Sequence, residues 1–203
     1  MSSIPCDVVL LPSKGLSRKA IEASKDIAAV NKVFSVLDDE NYFAHTSLYM
    51  TQLSNDSIEQ AKKLLEQVSQ EFNSYNLVAT GYGGDLGYSD VEYPREALYD
   101  IQKTVLDAIN PVRDGMRIKD EARMKEAKGV VYENFKKYGY PHIGNLLRPH
   151  ITFTRLTSFE SPDTEALLGD PSRFSGLFDR IGLFEMGDNG TCIRKIGEWK
   201  LAA

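Results

Sequence analysis

The chain has 203 residues, of which 42% are hydrophobic and 26% charged, and a formal net charge of −5. This is the composition of a soluble globular protein long enough to bury a sizeable core. It excludes the broad cationic face that long nucleic acids need, while a local basic groove for a small anionic ligand stays open. Two cysteines, Cys6 and Cys192, are too few for a disulfide framework and fit free thiols in a reducing cytosol. No apolar run approaches the roughly 20 residues of a membrane span. The expectation is a cytoplasmic, monomeric protein with no membrane partner and no cofactor.

In chain order, residues 6–11 are continuously apolar and lack a basic leader, so they read as a first strand and not as a signal peptide. Leu16, Ala20, Ala23, Ile27 and Val30 recur at helical spacing and predict a helix over 15–32. Residues 45–51 read as a strand. Asp56 with Glu59 resembles a capping box, ahead of a stripe made by Ile58, Ala61, Leu65, Val68 and Phe72. Two strands around glycine-rich turns are expected within 77–93. The 81–87 run lacks the lysine–hydroxyl ending of a phosphate-binding loop. A helix is expected over 95–109, ended by Asn110 and Pro111. A second is expected over 120–138, stopped at Gly139. The basic residues within 113–128 are interleaved with acids and read as a solvated helix face. After a loop over 140–148 come a strand at 150–156 and two more at 177–186 and 192–199. Gly187, Asp188, Asn189 and Gly190 form the hairpin turn between the last two, and no chemistry is assigned to that turn. Without a linker or low-complexity tract, residues 1–203 read as a single α+β domain, with 111–140 as a candidate helical insertion.

Two segments carry a weak internal repeat. His45-Thr46-Ser47-Leu48 is followed by Asn55-Asp56 and a helix. His150-Ile151-Thr152-Phe153 is followed at similar distance by Ser161-Pro162-Asp163 and a helical turn. Each presents His-x-(Ser/Thr)-apolar on a strand, and the chain has only three histidines. Strict alternation would put His45, Ser47, Tyr49 and Thr51 on one face, and His150, Thr152 and Thr154 on one face of the other strand. Facing each other across a groove, two imidazoles and two hydroxyls suit one phosphodiester. One neutral histidine takes a proton from the nucleophile, and one protonated histidine gives a proton to the leaving oxygen. The hydroxyls donate to the non-bridging oxygens as charge builds.

At these residues the chain resembles the two-histidine (2H) phosphoesterase superfamily, and within it the branch of RNA 2′,5′-ligases and cyclic phosphodiesterases. The run from Pro149 to Arg155 is similar to the second motif of that branch. The run from His45 to Leu48 is similar to the first, with Ser47 where threonine is commoner. The resemblance implies a bilobal α+β fold, its two pseudo-symmetric lobes of antiparallel strands flanked by helices around a central groove. It implies a phosphoric diester hydrolase that works without metal on 2′,3′-cyclic or 2′,5′-linked phosphodiesters of nucleotides or short RNA. His45 and His150 become the acid–base pair, in either order, and Ser47 and Thr152 the phosphate ligands. An RNA 2′,5′-ligase, or a non-catalytic protein that binds RNA ends or cyclic nucleotides, is the alternative.

Three further residues are candidate substrate contacts. Tyr49 either stacks on a base or fills the core. Arg155 matches a frequent arginine of the ligase branch, although alternation points it away from His150. His142 belongs either to the groove rim or to loop packing. No H-x-x-x-H spacing or cysteine pair supports a metal site.

Overall fold

In the computed structural model, residues 3–160 and 162–202 are described. Ser161, part of the second capping signal, lies outside them. The first strand, β1 (Ser3–Pro12), is buried from Cys6 onward. Its neighbours β2 (Thr46–Ser54) and β7 (Gly176–Met186) pair with it on either side, both antiparallel. The far edge of β7 is shared by β3 (Tyr75–Leu77) and β8 (Cys192–Lys200). A second, three-stranded antiparallel sheet runs β4 (Gly81–Gly83), β5 (Tyr88–Glu92), β6 (His150–Arg155). The two motif strands, β2 and β6, are therefore edge strands of different sheets.

Helices pack the sheets together. The helix α1 (Lys14–Val30) is capped by the Ser13 hydroxyl and buries Leu16, Ala20, Ala23 and Ile27. The helix α2 (Asn55–Glu71) follows β2 directly. Its cap is Ser54, whose Oγ accepts from the Ser57 amide, so the expected Asp56–Glu59 box is not what starts it. Ser54 ends the strand in an extended conformation, and this swings its hydroxyl over the first turn. The expected 95–109 helix begins as a 3-10 turn (Arg95–Leu98) and becomes α-helical as α3 (Tyr99–Ile109). The expected 120–138 helix is two helices, α4 (Ile118–Glu126) and α5 (Gly129–Tyr138). Ala127 and Lys128 are extended and Gly129 takes φ 57, a left-handed conformation open to glycine at little cost. Gly139 ends α5 as expected, with φ 69. The short α6 (Thr164–Leu168) is capped by Asp163. One hydrophobic cluster takes in Val8, Leu48 and Ile181 of the first sheet, Val91, Ile151 and Phe153 of the second, and Ile27, Leu65 and Ile101 of the helices.

Both motif strands carry a β-bulge at the same motif position. On β2, Val9 faces Ser47 and Val8 faces Tyr49, so Leu48 is the extra residue. On β6, Asp90 faces Thr152 and Ser89 faces Thr154, so Phe153 is the extra residue. A bulge removes a carbonyl from the ladder and resets the alternation beyond it. Each freed carbonyl is met by a buried polar side chain from a helix. Gln102 of α3 donates to the Leu48 carbonyl at 3.0 Å, and Ser24 of α1 donates to the Phe153 carbonyl at 2.7 Å. Neither partner is marked in the sequence, because each lies within an apolar helical stripe.

Candidate active site

The edges of the two sheets enclose a groove of about 410 Å³. His45, Ser47, His150 and Thr152 all line it, so the structure brings together the four residues that the two motifs single out. Both imidazoles are held the same way. His45 Nδ1 lies 2.7 Å from the Phe43 carbonyl, and His150 Nδ1 lies 2.6 Å from the Arg148 carbonyl. In each case the carbonyl two residues back fixes the proton on Nδ1 of the neutral ring and leaves Nε2 for chemistry.

The surroundings of the two rings differ. His45 Nε2 lies 3.9 Å from Oδ2 of Asp7, a fully buried carboxyl on β1. The same Oδ2 accepts the Ser47 hydroxyl at 2.6 Å, while Oδ1 has no hydrogen-bond partner among the described residues. Burial raises the pKa of Asp7 above the usual carboxylate range; His45, the Ser47 hydroxyl, Arg117 and Lys119 act in the opposite direction. His150 is half-buried, and the atoms packed around it withhold water from the ring. That desolvation outweighs its bond to the Arg148 carbonyl and, with the nearby Arg148 and His45 charges, lowers its pKa to about 4. Arg148 is itself fixed by two carboxylates, with Nε 2.6 Å from Glu92 and Nη2 3.0 Å from Asp90. Burial still raises the Asp90 pKa to about 6. Gly83 makes room for this cluster, since a Cβ there would lie 2.7 Å from both Arg148 Nη2 and Asp90 Oδ1.

Tyr49 is not a groove residue. The bulge at Leu48 turns it inward, where it is fully buried, donates to the Tyr138 carbonyl at 2.6 Å and packs against Tyr140. Met50 takes the groove position instead. Arg155 is changed in the opposite sense. The bulge at Phe153 turns Thr154 into the core and moves Arg155 to the side of Thr152, with which it lines a smaller cavity beside His45. There the guanidinium lies between the rings of Tyr88 and Phe159, 4.6 and 4.7 Å from their centroids, and donates to Asn189 Oδ1 at 2.6 Å. His142 is exposed on the groove rim, its ring against Tyr140.

Two groups of groove residues were missed by sequence reasoning. Arg117, Lys119 and Arg123, read there as part of a solvated face, line the groove. Asn189 and Gly190 of the β7–β8 turn line it as well. Among metal-binding types, Asp7, His45 and Cys192 each bring one ligand atom within 4.8 Å of the others. Burial raises the Cys192 thiol well above its ordinary pKa, which favours the neutral thiol over the thiolate a metal requires.

An α+β chain with two antiparallel sheets and a His-x-(Ser/Thr) motif on each facing edge has the fold of the two-histidine phosphoesterases. The particular solved structures it resembles include LigT of E. coli complexed with phosphate, at TM-score 0.59 and 13% identity over 100% of both chains. They also include TT0787 of Thermus thermophilus, at TM-score 0.61 and 12% identity over 98% of both chains. A structure described as a phosphoesterase matches at TM-score 0.58 and 13% identity, again over 100% of both chains. At these identities the likeness is one of fold. The sequence matches no protein-family model and no curated protein.

Proposed function

We propose that this chain is a metal-independent phosphodiesterase acting on 2′,3′-cyclic or 2′,5′-linked phosphodiesters of nucleotides or short RNA, with His45 and His150 as its acid–base pair. The observation that carries this reading is the matched tethering of the two rings, Nδ1 to a carbonyl and Nε2 available to one shared groove. Two such nitrogens serve a displacement at phosphorus, where one proton leaves the nucleophile and another reaches the leaving oxygen. The fold supports the reading by likeness to LigT, solved in complexes with phosphate and with 3′-AMP.

The unequal surroundings of the two rings support a division of roles. His150, neutral at physiological pH because its pKa is lowered to about 4, is the base that takes the proton of the attacking water. His45, with the Asp7 carboxyl beside Nε2, holds the proton delivered to the leaving oxygen. Thr152 lines the groove and donates its hydroxyl proton to a non-bridging oxygen. The Ser47 proton is committed to Asp7, so Ser47 chiefly orients Asp7 behind His45. Arg155, its faces covered by Tyr88 and Phe159 and two of its nitrogens bound to Leu86 and Asn189, offers its remaining edge to a neighbouring phosphate.

The test is turnover in excess EDTA of 2′,3′-cyclic nucleotides, 2′,5′-linked oligoadenylate and 3′,5′-linked controls by the wild type, His45→Ala and His150→Ala. Turnover that survives EDTA and falls by about 10²-fold or more in either variant supports the proposal. Activity lost to EDTA but indifferent to both histidines refutes it. Tight binding without turnover of any member would make the chain a binding protein for RNA ends or cyclic nucleotides.

A further inference from the structure

The groove, at about 410 Å³, is larger than one phosphate requires, and its walls carry opposite charge. On the β4–β5 side, Arg148 is taken up by Asp90 and Glu92, and Asp85 also lines the wall. On the α4 side stand Arg117, Lys119 and Arg123. Arg117 is buried, and its guanidinium is closed onto Asp120 and two methionine sulfurs. Arg123 spends one nitrogen on Asp120 and keeps about half its side chain in solvent, at 51% exposure. Lys119 makes no ion pair among the described residues.

Besides burial, the charges of Arg117 and Arg123 depress the pKa of Lys119, against the pull of Asp120 and Asp188. An ammonium crowded by guanidinium groups is relieved by an incoming anion. His142 lines the same groove as this group and the two motif histidines. Although the residue is exposed at the rim, the groove wall partly desolvates its ring and lowers its pKa; the next largest influence is Arg123, with His150 also acting on it.

We infer that Lys119 and Arg123 form a second phosphate site, beyond the phosphate held between His45 and His150. The inference rests on the proposed function and narrows its substrate. The preferred ligand is an RNA end, whose terminal nucleotide carries a further phosphate on its 5′ oxygen, and not an isolated nucleoside cyclic phosphate. His142 lines the same groove and is available to the ribose that joins the two phosphates. The acidic β4–β5 wall disfavours the reverse orientation, because it would set that phosphate against Asp85 and Asp90.

The test is calorimetric titration of the full chain with adenosine 3′,5′-bisphosphate and with adenosine 3′-monophosphate, at one low salt concentration. One charge-assisted contact is worth about tenfold in affinity. The wild type is expected to prefer the bisphosphate by about tenfold or more, and the Lys119→Gln/Arg123→Gln double variant to lose most of that preference. Both side chains are solvent-facing, and Arg117 keeps its pairing with Asp120, so the variant retains the fold. A wild-type ratio near one, or a ratio kept by the double variant, overturns the site. The readout is binding, so the two readings fail separately. Preference without turnover sinks hydrolysis alone, and turnover without preference sinks only this site.

Discussion

Ser47→Ala separates the two roles open to the Ser47 hydroxyl. Asp7 is fully buried, its Oδ1 is unpartnered among the described residues, and its Oδ2 receives the Ser47 hydroxyl at 2.6 Å. Deleting that hydroxyl leaves a buried carboxyl with no hydrogen bond from the described residues. A hydrogen bond to a charged group contributes roughly 1.5–3 kcal/mol, so the expected loss of stability where Asp7 is ionised in the folded chain is about 2 kcal/mol. With a typical slope of about 2 kcal/mol per molar urea, the unfolding midpoint falls by about 1 M.

The loss depends on pH, with a defined sign. The folded-state pKa of Asp7 is raised by burial, so Asp7 holds its proton to higher pH in the folded chain than in the unfolded one. The Ser47 bond favours the ionised form and lowers that pKa. Its removal raises the pKa further; the unfolded-state pKa is common to both chains and cancels, so the stability deficit grows as pH rises through the folded-state pKa of the wild type and levels off once Asp7 of the variant has ionised as well. Thr152→Ala is the matched control. It should cost under about 1 kcal/mol of stability, but about 10²-fold in kcat through loss of a transition-state donor. Urea denaturation at several pH values and steady-state kinetics of both variants decide the matter. If Ser47→Ala unfolds like the wild type at every pH and matches Thr152→Ala in kinetics, the two hydroxyls are equivalent phosphate donors and the proposed asymmetry is wrong.

Tyr49→Phe removes the donor that satisfies the Tyr138 carbonyl at the end of α5, and should cost about 1–2 kcal/mol with KM unchanged. A raised KM at unchanged stability would return Tyr49 to the groove. For His150, kcat/KM should rise with pH through about 4, as the ring loses its proton and becomes a competent base. The ring-proton NMR signal that disappears in His150→Ala should titrate over the same interval. Titration near the ordinary histidine value of about 6.5 would contradict the desolvation argument and the assignment of the base.

The histidine pair was legible because its evidence is local. Two copies of one four-residue pattern, in a chain with three histidines, need no tertiary information to stand out. The helical stripes of α1, α2 and α3 were legible for the same reason, since periodicity is written in neighbouring residues. Tyr49 and Arg155 mark where this local logic fails. Alternation presumes an unbroken ladder, and each motif strand has a bulge that moves every later side chain to the other face. Adjacent buried pairs, Leu48–Tyr49 and Phe153–Thr154, are the trace that the bulges leave in the sequence. That trace is faint, because a continuous apolar run also fits a strand buried on both faces.

The cationic wall of α4 was hidden differently. Arg117, Lys119 and Arg123 stand among Asp120, Glu121 and Glu126, and a mixed run of charges looks the same on a solvated helix as on one turned toward a groove. The break at Gly129 was hidden as well, because one glycine in a helical pattern is a weak signal until its φ is known.

By itself, then, the sequence determined the two histidines, their companion hydroxyls and the α+β order of elements, because these depend on residue types and short spacings. Only the tertiary structure decided that Asp7, forty positions before Ser47, lies behind His45 while packing desolvates His150. Two nearly identical motifs were thereby given unequal surroundings. The reason is that a pKa is set by burial and by charges within a few ångströms, and those neighbours are brought together by folding.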